Sequence, residues 1–234
     1  MLVALALAGC ETSAEKSAKL EKAAKQEEAK NGGLGVAGQH GLSISRQSTK
    51  VRVLATAALH SSEGDAAVIT LRNLSTTTLR DVPIEITVSD AQGKTLYTNN
   101  VPGLAAALVS APLLPAHSTT IWIDDQVQTT GTPSSVSAKV GEGEPTRGAI
   151  PRLSVLAGAT GSSEVEGSVV NHSSVTQREL VVYAVARRKG TIVAAGRALL
   201  PQAPAGASTH FQLYFIGSSS AAQLQLSAPA TTLP

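Results

Sequence analysis

Val68-Ile-Thr-Leu-Arg-Asn73-Leu-Ser75 and Glu166-Gly-Ser-Val-Val-Asn171-His-Ser173 lie 98 residues apart and share one plan: an apolar alternating run closed by Asn-x-Ser. The correspondence continues in order. Ile84-Glu-Ile-Thr-Val lies over Val182-Tyr-Ala-Val-Ala, and Gly93 over Gly190 with one residue deleted. Leu114-Pro115-Ala-His-Ser-Thr119 lies over Ala203-Pro204-Ala-Gly-Ala-Ser-Thr209, one residue longer in the second copy. A period near 95 residues is too long for a solenoid and suits tandem sandwich domains.

Working outward, Val51-Arg-Val-Leu, Ala67-Val-Ile-Thr-Leu-Arg and Thr119-Thr-Ile-Trp-Ile also alternate with the period of strands. Turn-forming segments separate them: Ser61-Ser-Glu-Gly-Asp, Asp90-Ala-Gln-Gly and Pro115-Ala-His-Ser. Short strands spaced by turns predict an all-β protein of two tandem immunoglobulin-like sandwiches, residues 43–128 and 151–229. The intervening 129–150, rich in Gly, Pro, Ser and Thr, reads as an interdomain linker, and 230–234 as a tail.

Residues 11–30 differ. They hold five acidic and five basic side chains, with Glu15–Lys19 and Glu21–Lys25 spaced i,i+4 and the acid first. Leu20 is their one bulky apolar residue, so a solvated helix of about 30 Å is expected, acting as a stalk. A Gly-rich joint follows and completes the 10–42 segment.

Composition narrows the function classes. Nineteen basic against 17 acidic residues give a net charge of +2, without the basic stripe that nucleic acid requires. One cysteine precludes an internal disulfide framework. His40, His60, His117, His172 and His210 show no ligand spacing, and no Gly-x-Ser-x-Gly elbow accompanies the Ser, His and Asp residues. No cofactor, metal or catalytic group is therefore expected. Asp124-Asp125 at a strand end reads as a solvated pair, and Arg187-Arg188-Lys189 as a solvated hairpin tip, with contact to anionic lipid or wall polymer the alternative. The two Asn-x-Ser sequons, equivalent in the repeat, read as turn-starting asparagines.

Leu7-Ala8-Gly9-Cys10, after an apolar run and before Glu11, resembles the lipobox of bacterial lipoproteins. The resemblance implies cleavage before Cys10 and a diacylglyceryl group on its sulfur. It places the chain at the cell membrane, facing the periplasmic or extracellular side. Met1 is followed by Leu2 and not by a basic residue, so residues 1–9 are expected to be the remnant of a signal peptide that starts upstream.

Ile86-Thr-Val88-Ser-Asp90 with Gly93, and Tyr183-Ala-Val185-Ala-Arg187 with Gly190, resemble the signature of FxLYD domains, small immunoglobulin-like modules of bacterial envelope proteins. That resemblance implies a non-enzymatic sandwich and transfers no functional residue. Aligning Ile121 and Ile123 with Phe211 and Leu213 as the inward pairs sends Trp122 outward, opposite Gln212. The lone tryptophan then anchors an envelope protein or cell-wall polymer, or packs under the apolar connection Val101–Leu114 or against the other domain. The expected function is a binding or scaffolding module. The alternative is a solute-binding component or envelope enzyme with a site between the domains.

Overall fold

Alternating Val, Ile and Leu give fifteen strands among the described residues, arranged in antiparallel sheets. The computed structural model describes residues 11–30 and 41–234. The signal-peptide remnant, Cys10 and most of the Gly-rich joint lie outside the described residues. A helix α1 (Ser13–Lys30) is followed in the first half by β1 (Val51–Ser61), β2 (Gly64–Asn73), β3 (Thr78–Ser89), β4 (Thr95–Thr98), β5 (Ser110–Leu114), β6 (Thr119–Val127), β7 (Ser135–Val140) and β8 (Glu144–Thr146). The second half holds β9 (Leu153–Thr160), β10 (Glu164–Asn171), β11 (Gln177–Arg188), β12 (Thr191–Ala203), β13 (Ser208–Tyr214), β14 (Ile216–Gly217) and β15 (Gln223–Ser227).

Each half is β-sandwich-like. In the first, a β1-β2-β6 sheet faces a sheet centred on β3, which pairs with β4 and β5 on one side and β7 and β8 on the other. In the second, β13-β10-β9 faces β14-β12-β11-β15. The expected linker 129–150 is corrected here. It contains β7 and β8, which complete the β3 sheet in register from Ile84↔Val140 to Ser89↔Ser135. Its Gly and Pro residues mark the breaks between these short edge strands.

The repeat is carried by identical hydrogen bonding. Asn73 Nδ2 donates to Thr77 O and Leu114 O, while Ser75 N and Oγ donate to Asn73 Oδ1. Asn171 Nδ2 donates to Val175 O and Ala203 O, and Ser173 N and Oγ to Asn171 Oδ1. Both asparagines are fully buried, so each amide is a structural tie across the sandwich and no glycan could sit on it in the folded state.

The halves meet as a packed interface. β11 runs Leu180-Val-Val-Tyr-Ala-Val-Ala without alternation because both its faces are covered. Leu180, Val182, Ala184 and Ala186 join the core of the second half, whereas Val181, Tyr183 and Val185 join that of the first. The four sheets therefore stack with the β1-β2-β6 and β11-β12 sheets innermost.

Candidate functional site

The densest polar chemistry lies at this junction, where α1 crosses from one half to the other. Its first turn is a capping box: Glu15 N donates to Thr12 Oγ1 at 3.2 Å, and Thr12 N to Glu15 Oε2 at 2.9 Å. The carboxylate of Glu63, in the β1–β2 turn, accepts from Ser13 N and Oγ, which places negative charge at the positive end of the helix. One and two turns on, Ser17 and Glu21 share that face, and all three residues are buried.

The expectation of a solvated stalk is thus corrected. Among the described residues α1 has no apolar packing face and docks instead through a polar stripe at i, i+4 and i+8. Its partners are polar too. Ser17 Oγ donates to Asp125 Oδ2 at 2.7 Å, and Glu21 accepts from Gln126 Nε2 at 2.6 Å. Lys16 lies 5.2 Å from the centre of the Tyr214 ring.

Arg197, in the middle of β12, is the hub. Its Nε donates to Asp125 Oδ1 at 2.7 Å and its Nη2 to Glu21. The guanidinium is 2 % exposed against 1 % and 6 % for the two carboxylates. Burial alone would lower its pKa, but Asp125, Glu21 and Asp124 together raise it, so the charge stays. Arg197 Nη1 and the nearby Tyr183 hydroxyl have no hydrogen-bond partner among the described residues. Burial raises the Tyr183 pKa well above the ordinary phenol value, keeping it protonated.

Asp124 and Asp125, expected as a solvated pair, are both buried and point to opposite faces of β6. Asp125 meets Arg197 in the second half, and Asp124 Oδ2 accepts from Tyr97 OH at 3.0 Å in the first. Burial pushes the Asp124 pKa up to about 6 from 3.8, against the opposing pull of Arg197, the Gln126 amide and Tyr97. Because the folded state holds this proton more tightly than the unfolded one, Asp124 removes stability as pH rises from about 4 to about 6. The full loss is about 3 kcal/mol. Asp124→Asn is expected to flatten that part of the pH profile and to raise the urea midpoint at pH 7. Parallel wild-type and variant profiles between pH 4 and 7 would refute this.

Trp122, the proposed exposed anchor, is 0 % exposed, and its Nε1 donates to Ala107 O and Ser110 O within the connection 101–114. The cause is register. Ser118 N donates to Pro115 O, and Ala207 N to Pro204 O, so the two turns have equal length. Their third residues, His117 and Gly206, both take positive φ. No insertion exists. Thr120 opposite Leu71 corresponds to Thr209 opposite Val169, which lays Trp122 over Phe211. One residue of slip reverses every side chain. Trp122 and Asp124 face the first-half core, while Ile121 and Ile123 share the Asp125 face against the second half.

Arg187-Arg188-Lys189 forms the β11–β12 hairpin tip as expected, with Lys189 and Gly190 at φ 50° and 85°. An open groove of about 270 Å³ runs between α1 and β12–β13, lined by Leu20, Leu199, Pro201, His210 and Gln212, with Arg197 at its edge. Comparison with models of known protein families and with curated proteins finds no match to this chain.

Proposed function

We propose that this chain is a lipid-anchored protein of the bacterial cell envelope, held by Cys10 on the outer side of the cytoplasm. It presents two immunoglobulin-like domains, similar to the FxLYD family, as a non-enzymatic binding or scaffolding module. The first domain takes in β7 and β8 and so extends to Thr146.

One observation carries the binding role. β1 and β9 are the outermost strands of their sheets, and each exposes a leucine at the same place in the repeat. Leu54 and Leu156 directly follow the equivalent pairs Val53–Leu71 and Val155–Val169, and are 47 % and 56 % exposed. A β-bulge extrudes Leu54. No charge interrupts either strand from Val53 to Leu59 or from Leu153 to Thr160. Uncharged, exposed edges are what an extended partner segment adds to, and natural sheets usually protect them.

Changing both leucines to Asp is expected to shift stability by less than about 1 kcal/mol, since neither packs in the core. Crosslinking in the native cell should then lose its main partner bands. An unchanged crosslinking pattern would remove these edges from consideration. The anchor has its own test: the mass of the mature N-terminus should show Cys10 with its lipid, and an unmodified chain retaining Met1 would refute it.

A further inference from the structure

We infer that the β11–β12 hairpin tip, Arg187-Arg188-Lys189, is a second membrane contact that meets anionic lipid headgroups. The inference rests on the reading of Cys10 as a lipid attachment site, and it adds how the body is oriented on the bilayer.

The argument is geometric. Two residues separate Cys10 from Ser13, three Cα steps and so a tether of at most about 11 Å, and Ser13 is fixed to Glu63. Because α1 is docked from its first turn, it does not hold the body away from the bilayer. Ser61, beside Glu63 in the same turn, accepts a hydrogen bond from Gly217 N at 3.3 Å. Gly217 and Ile216 pair with Ala194 and Ala195, a few residues from the hairpin tip at Thr191, or about 10 Å along β12. Arg188 Nη2 then donates to Ser220 O, in the segment that follows β14. The lipid tether and the basic tip thus leave the same end of the protein.

The charges there favour contact with anions. Arg188 and Lys189 are exposed and Arg187 half-buried; Arg187 and Arg188 bond to backbone carbonyls, which hold them without cancelling their charge. Of the acidic groups at that end, Glu11 is paired with Lys19 and Asp65 is hydrogen-bonded to His60, while Glu63 and Glu164 keep their charge in bonds to the first amide of α1 and to Gln212. Among the described residues none of them pairs with a tip cation. Attraction to an anionic bilayer decays over about 8 Å at physiological salt, so basic residues act only when held close. A short tether does that. The positive φ at Lys189 and Gly190 keeps the tip a tight two-residue turn, which presents the cations together.

The single cysteine allows a direct test. The full chain, coupled through Cys10 to a maleimide-headgroup lipid, is placed on vesicles of phosphatidylcholine alone or mixed with phosphatidylglycerol. Trypsin cleavage at the tip is followed, with cleavage after exposed Arg147 as the internal control. Arg147 lies toward the other end: its neighbour Gly148 lies beside Leu233, and Thr232 in that tail accepts from Gln177, the first residue of β11.

On phosphatidylglycerol the tip should be protected on the order of 100-fold at low salt, as three basic side chains at the surface imply. Cleavage after Arg147 should be unchanged, and high salt should abolish the protection. R187Q/R188Q, which retains Lys189 as a cleavage site, should reduce it to a few-fold. Equal tip cleavage on both vesicles, or protection indifferent to salt and to R187Q/R188Q, would overturn the contact. Because the coupling is chemical, such a failure overturns the tip contact alone, whereas an unlipidated native N-terminus overturns the anchor.

Discussion

Replacing Arg197 by methionine is expected to destabilise the protein by about 3–5 kcal/mol, the usual cost of removing one partner from a buried ion pair. Met preserves much of the volume, so the loss is electrostatic. Asp125, 1 % exposed, would stay buried without its cation, and the Ser17 hydroxyl cannot neutralise its carboxylate. Urea unfolding gives the magnitude. Hydrogen exchange in α1 should rise in parallel, since Arg197 is where the helix is joined to the second half.

The informative control removes all three charges. Arg197→Met with Asp125→Leu and Glu21→Leu is expected to recover most of the lost stability, because an apolar replacement of a whole buried ionic cluster is often neutral or better. The cluster then contributes specificity, holding α1 in one register, more than net stability. A single-variant loss below about 1 kcal/mol would mean that water reaches the cluster in solution.

Such a cluster left traces in the sequence that periodicity did not weigh. Arg197 interrupts Val193-Ala-Ala-Gly-Arg-Ala-Leu-Leu, and a charge inside a strand buried on both sides demands an opposite charge. Asp124-Asp125, directly after the apolar Ile121-Trp-Ile of β6, supplies it. Thr12-x-x-Glu15 marks a helix start, and Ser13, Ser17 and Glu21 mark a face. What the sequence could not show is that these groups meet: Glu21 and Arg197 are joined across 176 positions by a fold whose sheets first had to stack.

Elements legible in advance are those with local causes. Asn73 and Asn171 start turns through bonds to residues two and four positions on, so their role was readable from spacing. The unbroken apolar run of β11 is also a local signal, of burial on both faces, but its alignment with the alternating Ile84-Glu-Ile-Thr-Val hid it. The 129–150 segment misled because composition reports breaks, not pairing: Ser135–Val140 becomes a strand through its ladder with β3, 46 to 56 positions upstream.

Trp122→Ala is expected to cost about 3–5 kcal/mol, the range for truncating a large buried aromatic. The indole is fully buried in the first-half core, and its loss also leaves Ala107 O and Ser110 O without their shared donor. An exposed anchor would behave otherwise, with stability unchanged within about 0.5 kcal/mol and partner binding weakened. Trp122→Phe separates the two contributions. It keeps most of the apolar volume, matching Phe211 at the equivalent place in the second half, but removes the N–H. Its cost should lie near 1–3 kcal/mol, the penalty for buried acceptors left unpaired. Denaturant midpoints of the two variants decide the matter: an alanine variant as stable as the parent would return Trp122 to the surface and restore the one-residue insertion in the second turn.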